Sequence, residues 1–209
     1  MQNSGPNTYH HGNLRQALLA LGEVHLARLG ADNLSLRALA REIGVSQTAP
    51  YRHFADKNAL LAALATDGFH RLFDRALSAA RDHQHPPHQA LLALGKTYVD
   101  FARQHPEIFQ LMFGPVLQPR TDYPELYAAG RAAFQGVREI MEWGIREGVF
   151  RNADLAAMTN TAWAGVHGVA VLILDRADTF GYQVDPDQQV EQSLRMLMTG
   201  LLVDPGMVF

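Results

Sequence analysis

The chain has no cysteine among its 209 residues, which excludes disulfides, thiolate metal sites and cysteine nucleophiles. It also lacks an apolar run long enough to cross a bilayer. The longest, residues 162–174, is interrupted by His167 and falls short of the roughly 20 residues a spanning helix needs. Residues 1–12 are polar, so no signal peptide is visible. The two absences together set the expectation of a cytoplasmic protein with no membrane partner. Strand alternation with hairpin turns is missing. So are a phosphate-cradling glycine loop, a nucleophile elbow and a cluster with metal-ligand spacing. No catalytic residue, metal or cofactor is therefore expected. Net charge is small, at -3, with 47% hydrophobic residues and a mean hydropathy of -0.12. A chain of this length and balance can bury one core, or carry a small head on a larger body.

What charge there is has an uneven distribution. Residues 1–60 carry a net +2 and the remainder a net -5, so the basic excess lies at the N-terminal end, as an electrostatic footprint for nucleic acid should. The same end holds the most informative stretch, residues 34–57. Ser35 is a good N-cap for a helix starting at Leu36. Leu36, Leu39, Ala40 and Ile43 give it one apolar face. Gly44 follows the last periodic residue, where a left-handed backbone costs glycine little. Val45 buries in the turn. Ser46 can cap a second short helix carrying Gln47, Thr48, Ala49, Tyr51, Arg52 and His53 before Phe54 returns to the core. This is the helix-turn-helix layout, in which the start of the second helix reaches base edges in the major groove. Arg37 lies in the first turn of its helix, where the macrodipole disfavours a cation unless a phosphate is near. Pro50 leaves one ambiguity, because a cap at Ser46 puts it where it removes an early helix hydrogen bond, whereas a cap at Gln47 leaves it in the first turn.

Residues 13 to about 65 resemble the N-terminal domain of the TetR family of bacterial transcriptional regulators. The resemblance is carried by Leu36, Arg37, Leu39, Ala40, Ile43, Gly44, Val45 and Ser46, then by Tyr51, Arg52, His53 and Phe54, and then by Lys57, Leu60 and Leu61. It implies that the domain binds operator DNA as half of a dimer and that the C-terminal helices bind a small-molecule inducer. It further implies phosphate contacts by Tyr51, His53 and Lys57, and contacts with bases or nearby backbone by Arg37, Gln47, Thr48 and Ala49. The chemistry is compatible, since glutamine can read adenine and an alanine or threonine methyl can touch the thymine methyl.

The rest of the chain reads as helix. A first helix starts at Asn13, with Gln16 completing a capping box, and buries Leu14, Leu18, Leu21 and Val24 before Leu29 and Gly30 end it. After the two reading helices, a fourth runs unbroken from near Asp56 to about Arg81. The histidines at 83, 85 and 88 sit among prolines and read as a surface loop rather than a metal tract. Further helices cover about 89–104, 106–113, 124–148, 154–176 and 186–203. The expectation is an all-α protein of about nine helices. Residues 1–12 form a flexible arm, 13–58 a helix-turn-helix DNA-binding domain, and 59–209 a ligand-binding and dimerisation domain.

Within the body, Phe101, Phe109, Met112, Phe113, Phe134 and Met141 supply adaptable aromatic and thioether surface suited to a largely apolar ligand. Each can equally be plain core. Trp163 and His167 stand four apart on one helix face, with Gly165 and Gly168 allowing a neighbouring helix to approach. This string resembles the Trp-His-Gly signature of one TetR C-terminal subgroup. His167 is open to three roles: ligand contact, interface contact, or a core histidine bonded to a backbone carbonyl. The last two helices are apolar enough to need a second copy of the chain, through Val166, Val169, Ile173, Leu194, Leu197, Met198 and Leu201. A two-fold homodimer would bury them.

The leading reading is a dimeric DNA-binding regulator, a repressor released by a small molecule. Two rivals stay open: a helical enzyme or ligand-binding protein using His167, with Asp175 or another carboxylate as partner, and a DNA-binding regulator that answers to a protein instead of a small molecule.

Overall fold

A computed structural model gives the architecture, and describes residues 14–81, 85–175, 185–204 and 206. Among them are eight α-helices and no extended strand. An isolated antiparallel bridge joins Phe150 and Leu202. The helices are α1 (Leu14–Leu29), α2 (Leu36–Ile43), α3 (Lys57–Arg81), α4 (Pro87–Gln104), α5 (Pro106–Phe113), α6 (Pro124–Arg146), α7 (Leu155–Leu174) and α8 (Pro186–Leu201). Local chemistry sets most of their starts. Asp56 accepts from the Ala59 N–H at 2.8 Å, Asp154 from that of Ala157 at 2.7 Å, and Asp185 from those of Asp187 and Gln188. Prolines at 106 and 124 open α5 and α6, where their missing N–H costs nothing.

The expected ninth helix is absent as an α-helix. Residues Ala49–Arg52 form one 3-10 turn instead. Pro50 is the cause. It has no N–H to give to the Ser46 carbonyl, which instead takes the Ala49 N–H at 2.9 Å, a shorter loop of chain. The cap position falls on Thr48, which makes no side-chain cap bond. Neither Ser46 nor Gln47 holds that place.

The first three helices and the 3-10 turn form a small head around Leu18, Leu26, Leu39, Phe54 and Leu60, all nearly inaccessible. The buried face of α1 runs through Leu18, Gly22, His25 and Leu26. Val24, expected in that stripe, is 55% exposed. His25 is buried because its Nε2 bonds Glu42 Oε2 on α2 at 2.8 Å, so a polar pair holds what an aliphatic stripe was expected to hold. Asn13, proposed as the α1 cap, lies outside the described residues, as do residues 1–12 and His83.

α3 passes from the head into the body, where it packs on α4, α5 and α6. Between α3 and α5 the approach is close at Gly68: a Cβ there would lie 2.6 Å from Ile108 Cγ2 and 2.7 Å from Met112 Sδ. α5 also rests on α1. The salt bridge from Arg71 on α3 to Glu23 on α1, at 3.0 Å, adds a polar strap beside it.

α7 has the length and mean hydropathy, 1.3, of a helix able to cross a membrane. Here it is a wall of the body, with Met158, Thr159, Ala162 and Ala170 buried and with α4, α6 and α8 packed on it. Much of its remaining apolar surface stays open, Leu172 being 57% exposed. On α8 the expected outward row divides. Leu194, Met198 and Leu201 are buried in the chain's own core, and so are not free to face a second chain. Gly95 explains why: its missing side chain admits α8 so closely that a Cβ would lie 2.7 Å from Leu194 Cδ2. The open apolar residue of α8 is Met196, 75% exposed.

Candidate functional site

Two regions carry functional geometry, one on the head and one in the body. On the head, α2 is fixed at both ends. Ser35 is extended and its Oγ accepts from the Ala38 N–H. Gly44 adopts φ 84° and donates to the Ala40 and Arg41 carbonyls, a left-handed close that suits glycine best. The chain then turns through residues 45–48 into the 3-10 segment. Leu36, Leu39, Ala40, Pro50 and Phe54 point inward. Arg37, Gln47, Thr48, Tyr51, Arg52 and His53 are left exposed, with Ala49 half-buried. The structure thus leaves five of the seven expected DNA contacts exposed on the α2–turn unit, with Ala49 half-buried among them. Arg15 braces its end, its guanidinium lying 5.4 Å from the centre of the Phe54 ring.

Lys57, the seventh, is placed differently. It is half-buried, and its Nζ donates to the Ala31 and Asp32 carbonyls at 3.2 and 3.1 Å. It therefore ties the start of α3 to the loop between α1 and α2. An ammonium has three donors, so one remains for another acceptor.

In the body, a cavity of about 880 Å³ opens between α3, α5, α6 and α7. Phe69 and Phe73 of α3 line one side, Met112 and Phe113 of α5 another, Leu126 and Phe134 of α6 a third, with Trp163 of α7 closing it. Four of the eight residues expected at a ligand site therefore meet here: Met112, Phe113, Phe134 and Trp163. Phe101 and Met141 do not line it. Phe101 lies under the Arg71 guanidinium, 5.9 Å from its ring centre, and Met141 is wholly buried. Phe109 and His167 line a separate cleft of about 400 Å³ where α5 and α7 approach Leu26 and Gly30 of the head.

Phe113 lines both hollows, and His167 packs beside it. The imidazole stacks between Trp163, at 5.1 Å, and Phe109, at 5.5 Å, while Phe113 meets it edge-on at 4.9 Å. Its Nδ1 lies 2.8 Å from the Tyr98 hydroxyl. The histidine is thus neither bonded to a backbone carbonyl nor paired with Asp175: its partner is a phenol on α4. Burial holds the imidazole pKa below its usual 6.5. Burial also pushes the Tyr98 phenol well above its ordinary range, with nearby Trp163 pulling weakly the other way. Both groups are therefore neutral near pH 7, and the consistent arrangement is Tyr98 O–H donating to Nδ1 with the ring proton on Nε2. Tyr98 was legible only as one apolar position of its helix, since 69 residues separate it from His167.

An exposed polar turn on a small helical head, joined by one helix to the wall of an apolar cavity, defines a helical DNA-binding transcriptional regulator. Comparison with known proteins gives the family. Residues 18–64 match the profile described as bacterial regulatory proteins, tetR family. Residues 91–197 match the tetracyclin repressor-like C-terminal domain. YobS of Bacillus subtilis (strain 168), an uncharacterized HTH-type transcriptional regulator, is 26% identical over 175 residues, which span 84% of this chain and 85% of that protein. A protein of unknown function from Rhodococcus sp. RHA1 is 33% identical, with a TM-score of 0.78 over 94% of this chain and 99% of its own. A TetR/AcrR-family transcriptional regulator from Thermobifida fusca YX-ER1 shares the fold, with a TM-score of 0.69 at 20% identity, over 89% of this chain and 97% of that one. The chain belongs to the TetR family of bacterial transcriptional regulators. These matches reach the family and do not extend to the Trp-His-Gly subgroup.

Proposed function

We propose that the chain is a repressor that holds an operator as a homodimer and is released when a small molecule occupies the 880 Å³ cavity. In this reading residues 13–58 are the DNA-binding domain and 59–209 the ligand-binding and dimerisation domain. Gln47, Thr48 and Ala49 meet base edges. Tyr51, His53 and the remaining donor of Lys57 hold phosphates, which fixes register without reading sequence. Arg37 serves at the edge of the same contact. Met112, Phe113, Phe134 and Trp163 touch the ligand directly. Phe109 and His167 form the next layer, and Phe101 and Met141 support the walls. Val166, Val169, Ile173 and Leu197, all partly buried, join the exposed Leu172 and Met196 in the dimer contact. As a regulator of DNA the protein works in the cytoplasm.

One observation carries this reading. α3 runs without a break from Lys57, bonded to the head, to Phe69 and Phe73 in the cavity wall. A ligand that moves those rings moves the lever on which the head sits. α5 gives a second route, since it lines the cavity at Met112 and Phe113 and also packs on α1. Binding then selects between two head spacings, only one of which matches two half-sites about 34–36 Å apart. The open cavity supports a small-molecule signal over a protein one. The Tyr98–His167 bond, closed within aromatic rings, supports a structural histidine over a catalytic one.

Selection from a randomised duplex library by the purified protein tests the proposal. A recovered two-fold-symmetric site, with half-sites about one helical turn apart, is the expected result. Recovery of no preferred sequence, with the protein folded and dimeric, would refute it.

A further inference from the structure

The 880 Å³ cavity falls within the roughly 300–1,000 Å³ typical of small-molecule sites. Its inner surface is aromatic and aliphatic, but its charged lining is all of one sign. Arg120, Arg131 and Arg138 border it, together with the neutral polar side chains of Gln135 and Asn160, and no aspartate or glutamate among the described residues does.

The three arginines differ in how their charge is met. Arg138 is paired, its Nε lying 3.2 Å from Glu142 Oε1. Arg120 is half-buried and donates to the Met112 carbonyl, a neutral acceptor. No carboxylate among the described residues lies within ion-pair distance of it. Burial pulls its guanidinium pKa below the ordinary arginine value, as expected of a cation short of compensating charge. Arg131 lies 5.8 Å from the centre of the Tyr127 ring and likewise has no carboxylate partner among the described residues. The half-buried Arg120 guanidinium is costly to hold against an apolar hollow without a counter-charge, and the exposed Arg131 borders the same hollow. A guanidinium is also the side chain whose fork of donors best fits a carboxylate.

We propose that the ligand of this cavity is an amphiphile, an apolar body carrying a single carboxylate-type anionic head, with the body against Phe69, Phe113 and Trp163 and the head held by Arg120 and Arg131. The inference rests on the reading of the cavity as the ligand site, and goes beyond it by fixing the charge of the ligand. A neutral or cationic compound of the same shape leaves both guanidiniums without a partner.

The test is a calorimetric titration of the intact protein with decanoate, 1-decanol and decylammonium, three probes with the same chain and different heads. The chain contains two tryptophans, so Trp163 emission in a Trp143→Phe background reports whether the cavity is the site occupied. Decanoate is expected to bind at least about tenfold more tightly than the alcohol, with decylammonium weakest. Arg131→Gln, at an exposed position, and Arg120→Gln, which keeps a donor for the Met112 carbonyl, should each weaken decanoate by about tenfold and leave the alcohol unchanged. Equal binding of decanoate and alcohol with Trp163 responding, or a decanoate preference that survives both substitutions, would overturn the anionic head and leave the cavity as a ligand site. Failure of all three probes to bind would overturn the site and the inference together.

Discussion

Replacing Tyr98 by phenylalanine probes the centre of the body. Tyr98 is 2% exposed, and its ring packs against Phe109 at 5.4 Å and Phe113 at 5.9 Å. Tyr98→Phe keeps those contacts and deletes one oxygen. It leaves His167 Nδ1 facing aromatic rings without a donor, a loss of about 1–3 kcal/mol. His167→Phe strands the Tyr98 hydroxyl in the same way. The double variant removes both polar partners and should cost less than the sum of the two, by a coupling of about 1 kcal/mol or more. Denaturant unfolding at one fixed protomer concentration measures all four proteins, since a dimer's stability depends on concentration.

The same set has a pH dependence with a defined sign. His167 has its pKa lowered from 6.5 by burial. Between that lowered value and 6.5 the unfolded chain binds more protons than the folded one. The contribution of a neutral His167 is therefore complete above pH 6.5 and declines as pH falls through the window. The stability advantage of the native protein over His167→Phe should narrow on acidification. Additive single substitutions, or an advantage that widens toward acid, would refute the neutral Tyr98–His167 bond.

Three further outcomes follow from the geometry. Tyr51→Phe should weaken binding to all DNA alike, whereas Gln47→Ala should mainly relax sequence preference; equal effects of both on specific and random duplex, measured by anisotropy, would contradict that division. Gly68→Ala should destabilise the fold by about 1–3 kcal/mol, because its methyl group would press on Ile108 and Met112 across the α3–α5 contact, and a thermal melt indistinguishable from the native protein would count against so close a contact. Met196→Asp places a charge on the most exposed large apolar side chain of α8 and should shift sedimentation toward monomer without changing helix content, while an unchanged dimer would put the interface elsewhere.

How far these features could be read in advance depended on their range along the chain. Ser35 and Gly44 act on neighbours within four residues, and α2 ends where they say it should. Pro50 was visible as a difficulty, but its effect, a 3-10 turn with Thr48 at the cap, depends on which carbonyl loses its donor. In α1 the aliphatic letters misled, because Gly22 and His25 take the buried side while Val24 faces solvent. Only the tertiary fold brings Glu42 to His25 and so makes burial of a histidine affordable. On α8 an apolar row looked like an interface, but Gly95, some hundred residues away, lets α8 bury most of that row within its own chain.

The body site shows the same division. Phe113 and Phe134 could be picked out as adaptable aromatic surface and Trp163 by its place one turn before His167, and the three do meet in one cavity. Phe101 and Met141 carried the same chemical signal and pack elsewhere, because composition alone does not tell which face of a helix meets a void. The arginines escaped notice altogether. Arg120 comes from a 3-10 turn between α5 and α6, where nothing local marks it as part of a pocket. Its role emerges from the absence of a nearby carboxylate, which is a property of three-dimensional neighbours.

The most direct measurement is fluorescence anisotropy of the purified protein titrated onto the duplex upstream of its own gene, at several salt concentrations and against random competitor. The account predicts tight, competitor-resistant binding that weakens steeply with salt as Lys and Arg contacts to phosphate are screened. Binding no tighter than to random DNA, by a protein shown to be dimeric and free of bound ligand, would contradict it.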